Sequence, residues 1–362
     1  MEPELRHKPI RYYEIDLLRF IAALAVVLYH FAFRGYHADN LSPVEYPALG
    51  EVFKYGYLGV ELFFIISGYV VLMSAQGKTL GQFFTSRVTR LYPAYWVACT
   101  FTFLVERLFG PAEHTLEWSP ALYASLRVYL ANMTMVQNFI RIADLDGVYW
   151  TLKLEIIFYL LLAILILLKW FRYLVPILLI WLIYCAVIGP VTHGKPLTFL
   201  LFPRFAPFFI AGMLFYMLQT NQSARWKLYG LLLVTYGLAL RSSKVLFENA
   251  IELYHYPYSL PVTWILITSF FVVFILITHR LLQISQTKWI ALAGALTYPI
   301  YLLHHNVGYI VFKRLGNRVN KYELLLGMLL VLFGLAYLLH TQVERRYTSV
   351  FSRVLQKFFA KF

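Results

Sequence analysis

The sequence predicts an all-α, polytopic membrane bundle of about ten transmembrane helices, with both termini cytoplasmic. Three observations carry that expectation. The 362 residues are 60% hydrophobic and 18% aromatic but only 14% charged, a balance far from that of soluble domains. The apolar residues come in runs of about 17–25, the length needed to cross the hydrocarbon core of a bilayer. Lys and Arg sit mostly at the ends of those runs, as membrane topology requires, so the formal charge of +14 points to a lipid bilayer as partner and not to nucleic acid.

Taken in order, the runs fall at 16–34, 57–75, 92–109, 150–168, 173–190, 203–219, 226–241, 260–278, 288–304 and 322–341. The first follows a basic start (Arg6, His7, Lys8, Arg11) and resembles a signal peptide only superficially. It contains Arg19 and His30 and passes through Phe33-Arg34-Gly35 with no small-residue cleavage site, so it reads as a retained span. The stretch 119–140 is amphipathic, carries Arg127 and is interrupted by Asn132 and Asn138; an interfacial or re-entrant helix is expected there. An even number of spans leaves both termini on one side, and the excess of Lys and Arg on that side makes it the cytoplasm. The expected organisation is a cytoplasmic segment 1–15, a membrane domain 16–343 and a basic amphipathic tail 344–362 suited to an anionic inner leaflet. Cys99 and Cys185 lie in separate apolar runs, so neither a disulfide framework nor a metal site is expected.

The chemistry starts from Arg19 and His30. They are eleven positions apart, which is about three helical turns, so they share a face with roughly 16 Å between them along the axis. Ionisable side chains inside a bilayer are costly and mark pathways or cavities. Taken singly, Arg19 reads equally well as an interfacial arginine and His30 as a packing histidine. Depth counting at 1.5 Å per residue puts Glu61 and Glu155 at the level of His30, with Lys153 slightly further out and His304 and His305 near the outer end of the ninth run. A histidine beside a buried carboxylate suits general-base work; the alternative is that these carboxylates pair with Lys153 or with arginines to hold the bundle together. On the other side, Arg87 and Arg90 are spaced i and i+3, so their guanidiniums can grip a phosphate together. Ordinary positive-inside flanking explains the same pair. Ser67-Gly68 permits close helix packing. No Gly-rich phosphate loop, nucleophile elbow or zinc-protease motif is present in the sequence.

At these residues the chain resembles acyltransferase family 3, the integral-membrane O-acyltransferases, over nearly its whole length. The matching pieces are Arg19-x10-His30, then Gly59-Val60-Glu61-Leu62-Phe63-Phe64 with Ser67-Gly68-Tyr69, then Arg87-x-x-Arg90-Leu91-Tyr92-Pro93. Trp150-Thr151-Leu152-x-x-Glu155 with Phe158-Tyr159 follows, and Tyr301-Leu302-Leu303-His304 comes last. Phe20 and Lys153 depart from the family pattern and are expected to reshape the acyl or acceptor pocket. The esterase-like domain that some members append has no counterpart in this sequence.

The resemblance implies transfer of an acyl group, acetyl being the expected one, from cytoplasmic acyl-CoA to a hydroxyl on an envelope or exported polysaccharide or its lipid-linked precursor, in a bacterial inner membrane. Acyl-CoA enters as a substrate, and no permanently bound cofactor is implied. Arg19, Arg87 and Arg90 are the expected CoA-binding residues. His30 is the expected base or transient acyl carrier, oriented by Glu61 or Glu155. Trp150, Lys153, Tyr301 and His304 form the expected substrate-binding set, and glycan-assembly machinery is the expected partner. The competing class is a transporter using Arg19, His30 and the carboxylates as a proton or anion relay, which the lack of an internal repeat disfavours. A scaffolding subunit leaves the polar groups at matched depths unexplained.

Overall fold

The computed structural model describes residues 12–38, 41–112, 119–191, 195–220 and 225–359. The basic start at Arg6, His7, Lys8 and Arg11, and most of the expected segment 1–15, lie outside them. The described residues form helices joined by short turns and irregular loops, with no strand. Helix α1 is Tyr13–Tyr29, α2 Gly59–Ala75, α3 Leu80–Phe109, α4 Trp150–Leu167, α5 Leu174–Ile188 and α6 Ala206–Gln219. There follow α7 Arg225–Tyr254, α8 Leu260–Thr278, α9 Lys288–Leu303, α10 His305–Leu315, α11 Lys321–Leu338 and α12 Arg345–Phe359. Among the described residues, seven helical stretches are long and apolar enough to cross a membrane: those built on α1, α2, α4, α5, α7, α8 and α11. Helices α6 and α9 are apolar but shorter.

Close backbone approach organises the bundle. Helix α6 is buried at every position from Ala206 to Leu218, the mark of a helix surrounded by protein. It crosses α2 where two glycines face each other's backbone: a Cβ on Gly68 would stand 2.0 Å from the Phe209 carbonyl oxygen, and one on Gly212 would stand 1.9 Å from that of Ile65. On the other flank of α2 and the 3-10 turn before it, Gly59 and Gly56 press against the Ala22 and Ala25 carbonyls of α1. Small residues at such crossings bring helix axes together and gain packing contact, which replaces the hydrophobic drive that lipid does not supply. Gly294 of α9 likewise admits the Asp16 side chain of α1.

Several elements depart from the sequence expectation for identifiable reasons. Helix α3 begins at Leu80, not 92, because Thr79 and Gln82 form a reciprocal capping box, and the helix runs through Pro93 without ending. Helix α7 extends to Tyr254, well past 241; its polar extension carries a Lys244–Glu248 pair at 3.8 Å, and the chain breaks only before Pro257. The stretch 119–140 is not one helix but a two-turn helix, Leu126–Asn132, between short 3-10 turns. Helix α1 passes without a break into a π-turn, His30–Arg34, and α11 into another, Leu339–Glu344. Such turns widen a helix by one residue and recur at functional sites.

Candidate functional site

Two polar regions occupy the centre of the bundle, one at each end of the same helices. The first is a cleft of about 120 Å³. Arg19 of α1 and Arg87 and Arg90 of α3 make its basic end, and Val60, Phe63, Phe64, Val70 and Val71 of α2 make an apolar wall. Helix α4 contributes Thr151, Leu152, Glu155 and Tyr159, and α9 contributes Thr297, Tyr298 and Tyr301. The α4 spacing (i, i+1, i+4, i+8) is a single helical face. Arg87 lies over the rings of Phe83 (6.0 Å) and Tyr159 (5.6 Å), and Arg90 lies over Tyr298 at 5.8 Å. Arg90 also meets Glu344 of the second π-turn at 3.5 Å, and the same carboxylate takes His340 Nδ1 at 2.6 Å. Glu155 accepts hydrogen bonds from Tyr159 (2.6 Å) and Ser67 (3.3 Å). Away from the arginines the cleft stops at Thr151 and Tyr301, whose hydroxyls hydrogen-bond at 2.8 Å.

Behind Tyr301 lies the second region, a buried histidine cluster. The His304 ring is 5.7 Å from the Tyr301 ring, 5.0 Å from His30 and 6.1 Å from His305; His30 and His305 are edge to face at 4.7 Å. All three are at least 93% buried, with exposures of 7% (His30), 0% (His304) and 5% (His305). Their protons are fixed by their partners. His304 Nδ1 donates to the Tyr301 carbonyl at 2.8 Å, so its Nε2 accepts. His30 Nδ1 lies 2.8 Å from the Val26 carbonyl and 3.1 Å from His304 Nε2; both are acceptors, so His30 Nδ1 carries the proton and its Nε2 keeps a lone pair. His305 Nδ1 sits 3.1 Å from Asp146 Oδ1 and 2.6 Å from Asn306 Oδ1, which fixes the same tautomer there. Neither Nε2 of His30 nor that of His305 has a hydrogen-bond partner among the described residues.

The loop before α4 delivers Asp146. Asn132 is fully buried and bonds the Ala143 carbonyl and the Leu145 amide, both at 2.9 Å, while Gln137 and Asn138 hold Asp144. Burial raises the Asp144 carboxyl above its ordinary range, against those two hydrogen bonds. Asp146 Oδ1 accepts from the Val148 amide and Oδ2 from the Asn306 amide, each at 3.1 Å. Asn306 in turn donates to Glu106 of α3 at 2.7 Å. Gly147 makes room for the imidazole: a Cβ there would meet His305 Cε1 at 2.5 Å.

The structure therefore divides the residues singled out in the sequence. Arg19, Arg87 and Arg90 converge on one cleft. Glu155 joins them there and makes no hydrogen bond to His30, because its turn of α4 faces Arg19 and Tyr159. Glu61 is 2% exposed and also makes no hydrogen bond to His30. His30 and His304 are in contact, and Tyr301 lies between them and the cleft. Trp150 and Lys153 do not line it: Trp150 packs on Phe205 (5.3 Å) and Phe64 (6.4 Å), and Lys153 extends over Phe199 (6.0 Å). They occupy other faces of α4. Phe20 points away from the cleft as well, onto Phe333 of α11 at 6.0 Å. Sequence reasoning missed Asp146, Asn306 and Glu106. The signal available was Asn132 and Asn138, which read as interruptions of a helix and instead tie down the loop carrying Asp146.

Comparison with known proteins assigns the family. Residues 12–341 match the family model described as an acyltransferase domain. A putative acetyltransferase, ORF330, of Acidianus two-tailed virus is 26% identical over 94% of this chain and 92% of its own length. The acyltransferase MdmB of Streptomyces mycarofaciens is 30% identical over 47% of this chain and 41% of its own. The peptidoglycan O-acetyltransferase OatA of Listeria monocytogenes is 28% identical over 44% of this chain and 25% of its own. The latter two are thus matched over less than half their length. No solved structure matches the chain.

Proposed function

Since the chain belongs to acyltransferase family 3 and is an acetyltransferase-type enzyme of the membrane, we propose that it moves an acetyl group from cytoplasmic acetyl-CoA to a hydroxyl of an envelope or exported glycan, or of its lipid-linked precursor. The observation that carries the reading is the polarity of one path. Helices α1 and α3 each put a cleft residue toward one end (Arg19, Arg87) and a member of the buried cluster toward the other (His30, Glu106), and α9 carries Tyr298 in the cleft and His304 in the cluster six residues on. CoA has that polarity: phosphates at one end, a long apolar-to-amide arm, and a thioester at the tip. The guanidiniums of Arg19, Arg87 and Arg90 take the phosphates, and the arm follows the α2 wall toward Tyr301. The reacting carbonyl is then delivered to the histidine cluster, where His30 Nε2 is the unprotonated nitrogen. The acceptor reaches the cluster from the opposite side of the bilayer, with both termini of the chain cytoplasmic.

The test is transfer itself. Purified protein in lipid nanodiscs, given radiolabelled acetyl-CoA and a glycan-rich envelope extract, is expected to pass label to the glycan fraction in an alkali-labile ester. Labelled acetyl-CoA that is neither bound nor consumed under these conditions would remove the proposal. Uptake into sealed vesicles without transfer would move the protein to the transporter class.

A further inference from the structure

Resting on that reading, we propose that the two free imidazole nitrogens divide the reaction, with His30 carrying the acyl group and His305, held by Asp146, taking the proton of the acceptor hydroxyl. The two rings are neighbours, yet their partners differ in kind. The Nδ1 proton of His30 is donated to a neutral carbonyl and to a neutral imidazole nitrogen. Nothing negative hydrogen-bonds that ring to stabilise an added proton on it, which keeps Nε2 available as a nucleophile. His305 Nδ1 donates its proton to Asn306 Oδ1 at 2.6 Å, and the Asp146 carboxylate stands 3.1 Å from the same nitrogen. The Asn306 oxygen fixes the tautomer, and a carboxylate beside the far nitrogen stabilises the imidazolium that forms when Nε2 takes a proton. Asp146 is itself fully buried and locked by two backbone amides. An ion-pair-forming Asp–His couple at such depth is weak as a stabilising device, so its construction around Gly147 and Asn306 argues for a chemical task. The ring centroids lie 4.7 Å apart, edge to face, so the two imidazoles are immediate neighbours able to act on one substrate.

The steps balance. His30 Nε2 attacks the thioester carbonyl, the C–S bond breaks with its electron pair on sulfur, and CoA leaves as thiolate. The product is an Nε2-acyl imidazolium whose Nδ1 proton stays with the Val26 carbonyl and His304. The acceptor oxygen then attacks the acyl carbon while His305 Nε2 removes the O–H proton. The C–N bond breaks and returns its pair to His30. His305 releases its proton to water, and the thiolate is protonated from the same pool.

His305→Gln, which keeps a donor for Asp146 without a basic nitrogen, separates the halves, and Asp146→Asn repeats the test in a second variant. Full-length protein in nanodiscs is mixed with labelled acetyl-CoA alone, and released thiol and protein-bound label are read together. Both variants are expected to release one CoA per chain and to hold the label at His30, removable by hydroxylamine. Addition of envelope extract is expected to discharge the wild type at least about 100-fold faster than His305→Gln, the range of a lost general base. The proposal is overturned if His305→Gln discharges like the wild type. It is also overturned if a monodisperse variant that binds acetyl-CoA releases no CoA, or if transfer proceeds without label residing on the chain. A wild-type protein that neither binds acetyl-CoA nor transfers label sinks the parent reading instead.

Discussion

The arginine cleft makes a quantitative prediction, because its two α3 arginines are held differently. Arg87 lies over two aromatic rings and has no ion pair among the described residues. Arg90 has a side chain 40% exposed and already shares Glu344 at 3.5 Å. A hydrogen bond to a charged group contributes about 1.5–3 kcal/mol, which is about 10–150-fold in affinity at roughly 1.4 kcal/mol per tenfold. Arg87→Ala should therefore weaken CoA binding by about that factor. Arg90→Ala should cost less, on the order of 3–10-fold, since a phosphate at Arg90 must compete with Glu344 and with water. Glu344→Gln removes the competitor. A half-exposed pair is worth about 0.2–1 kcal/mol, so this change should tighten CoA binding by no more than about fivefold. Equilibrium binding of labelled CoA to the purified variants at two salt concentrations measures all three, with the salt slope falling in the arginine variants. An unchanged Kd in both alanine variants would refute the reasoning and return Arg87 and Arg90 to topological flanking.

Three further outcomes are expected. Gly68→Ala or Gly212→Ala should lower the detergent-solubilised Tm markedly, since each Cβ would fall about 2 Å from a backbone carbonyl and backbone overpacking costs about 1–3 kcal/mol or more; a Tm equal to the wild type would deny the α2–α6 crossing. His30→Ala should abolish transfer while leaving CoA affinity and folding intact, and product formation near normal in a folded variant would remove His30 from the chemistry. Phe20→Ala should cost stability through lost packing on Phe333, about 3–5 kcal/mol at most, yet leave the CoA Kd unchanged, whereas a shifted Kd would place Phe20 at the cleft after all.

Much of the helical layout was legible because composition and run length report burial in lipid directly. Most of the apolar runs reappear as helices, and the Arg19–His30 spacing marked one residue of the cleft and one of the histidine cluster. Helix ends were less legible: the capping box at Thr79 and Gln82 and the polar extension of α7 add turns that no hydropathy pattern marks. The cleft was half readable. Arg19, Arg87 and Arg90 come from two helices that a depth estimate sets on the same side of the bilayer, and they converge. Depth does not report azimuth, however. Glu155 joins the arginine cleft, not His30, and the other faces of α4 send Trp150 and Lys153 to other neighbours. The carboxylate that reaches the histidine cluster, Asp146, sits in an irregular loop. Its position depends on Asn132, Gln137 and Asn138 bonding to backbone and side chains in that loop, a long-range arrangement with no periodic trace in the sequence.

The central claim is that the arginine cleft and the histidine cluster are two ends of one route across the bilayer, with donor inside and acceptor outside. Sealed right-side-out vesicles containing the protein, loaded with labelled acetyl-CoA and given glycan acceptor only in the external medium, test it directly. Label should appear on the external acceptor at a rate abolished by His30→Ala and reduced by Arg87→Ala at subsaturating donor. Label reaching acceptor only when both substrates share the compartment of the arginines would contradict the account.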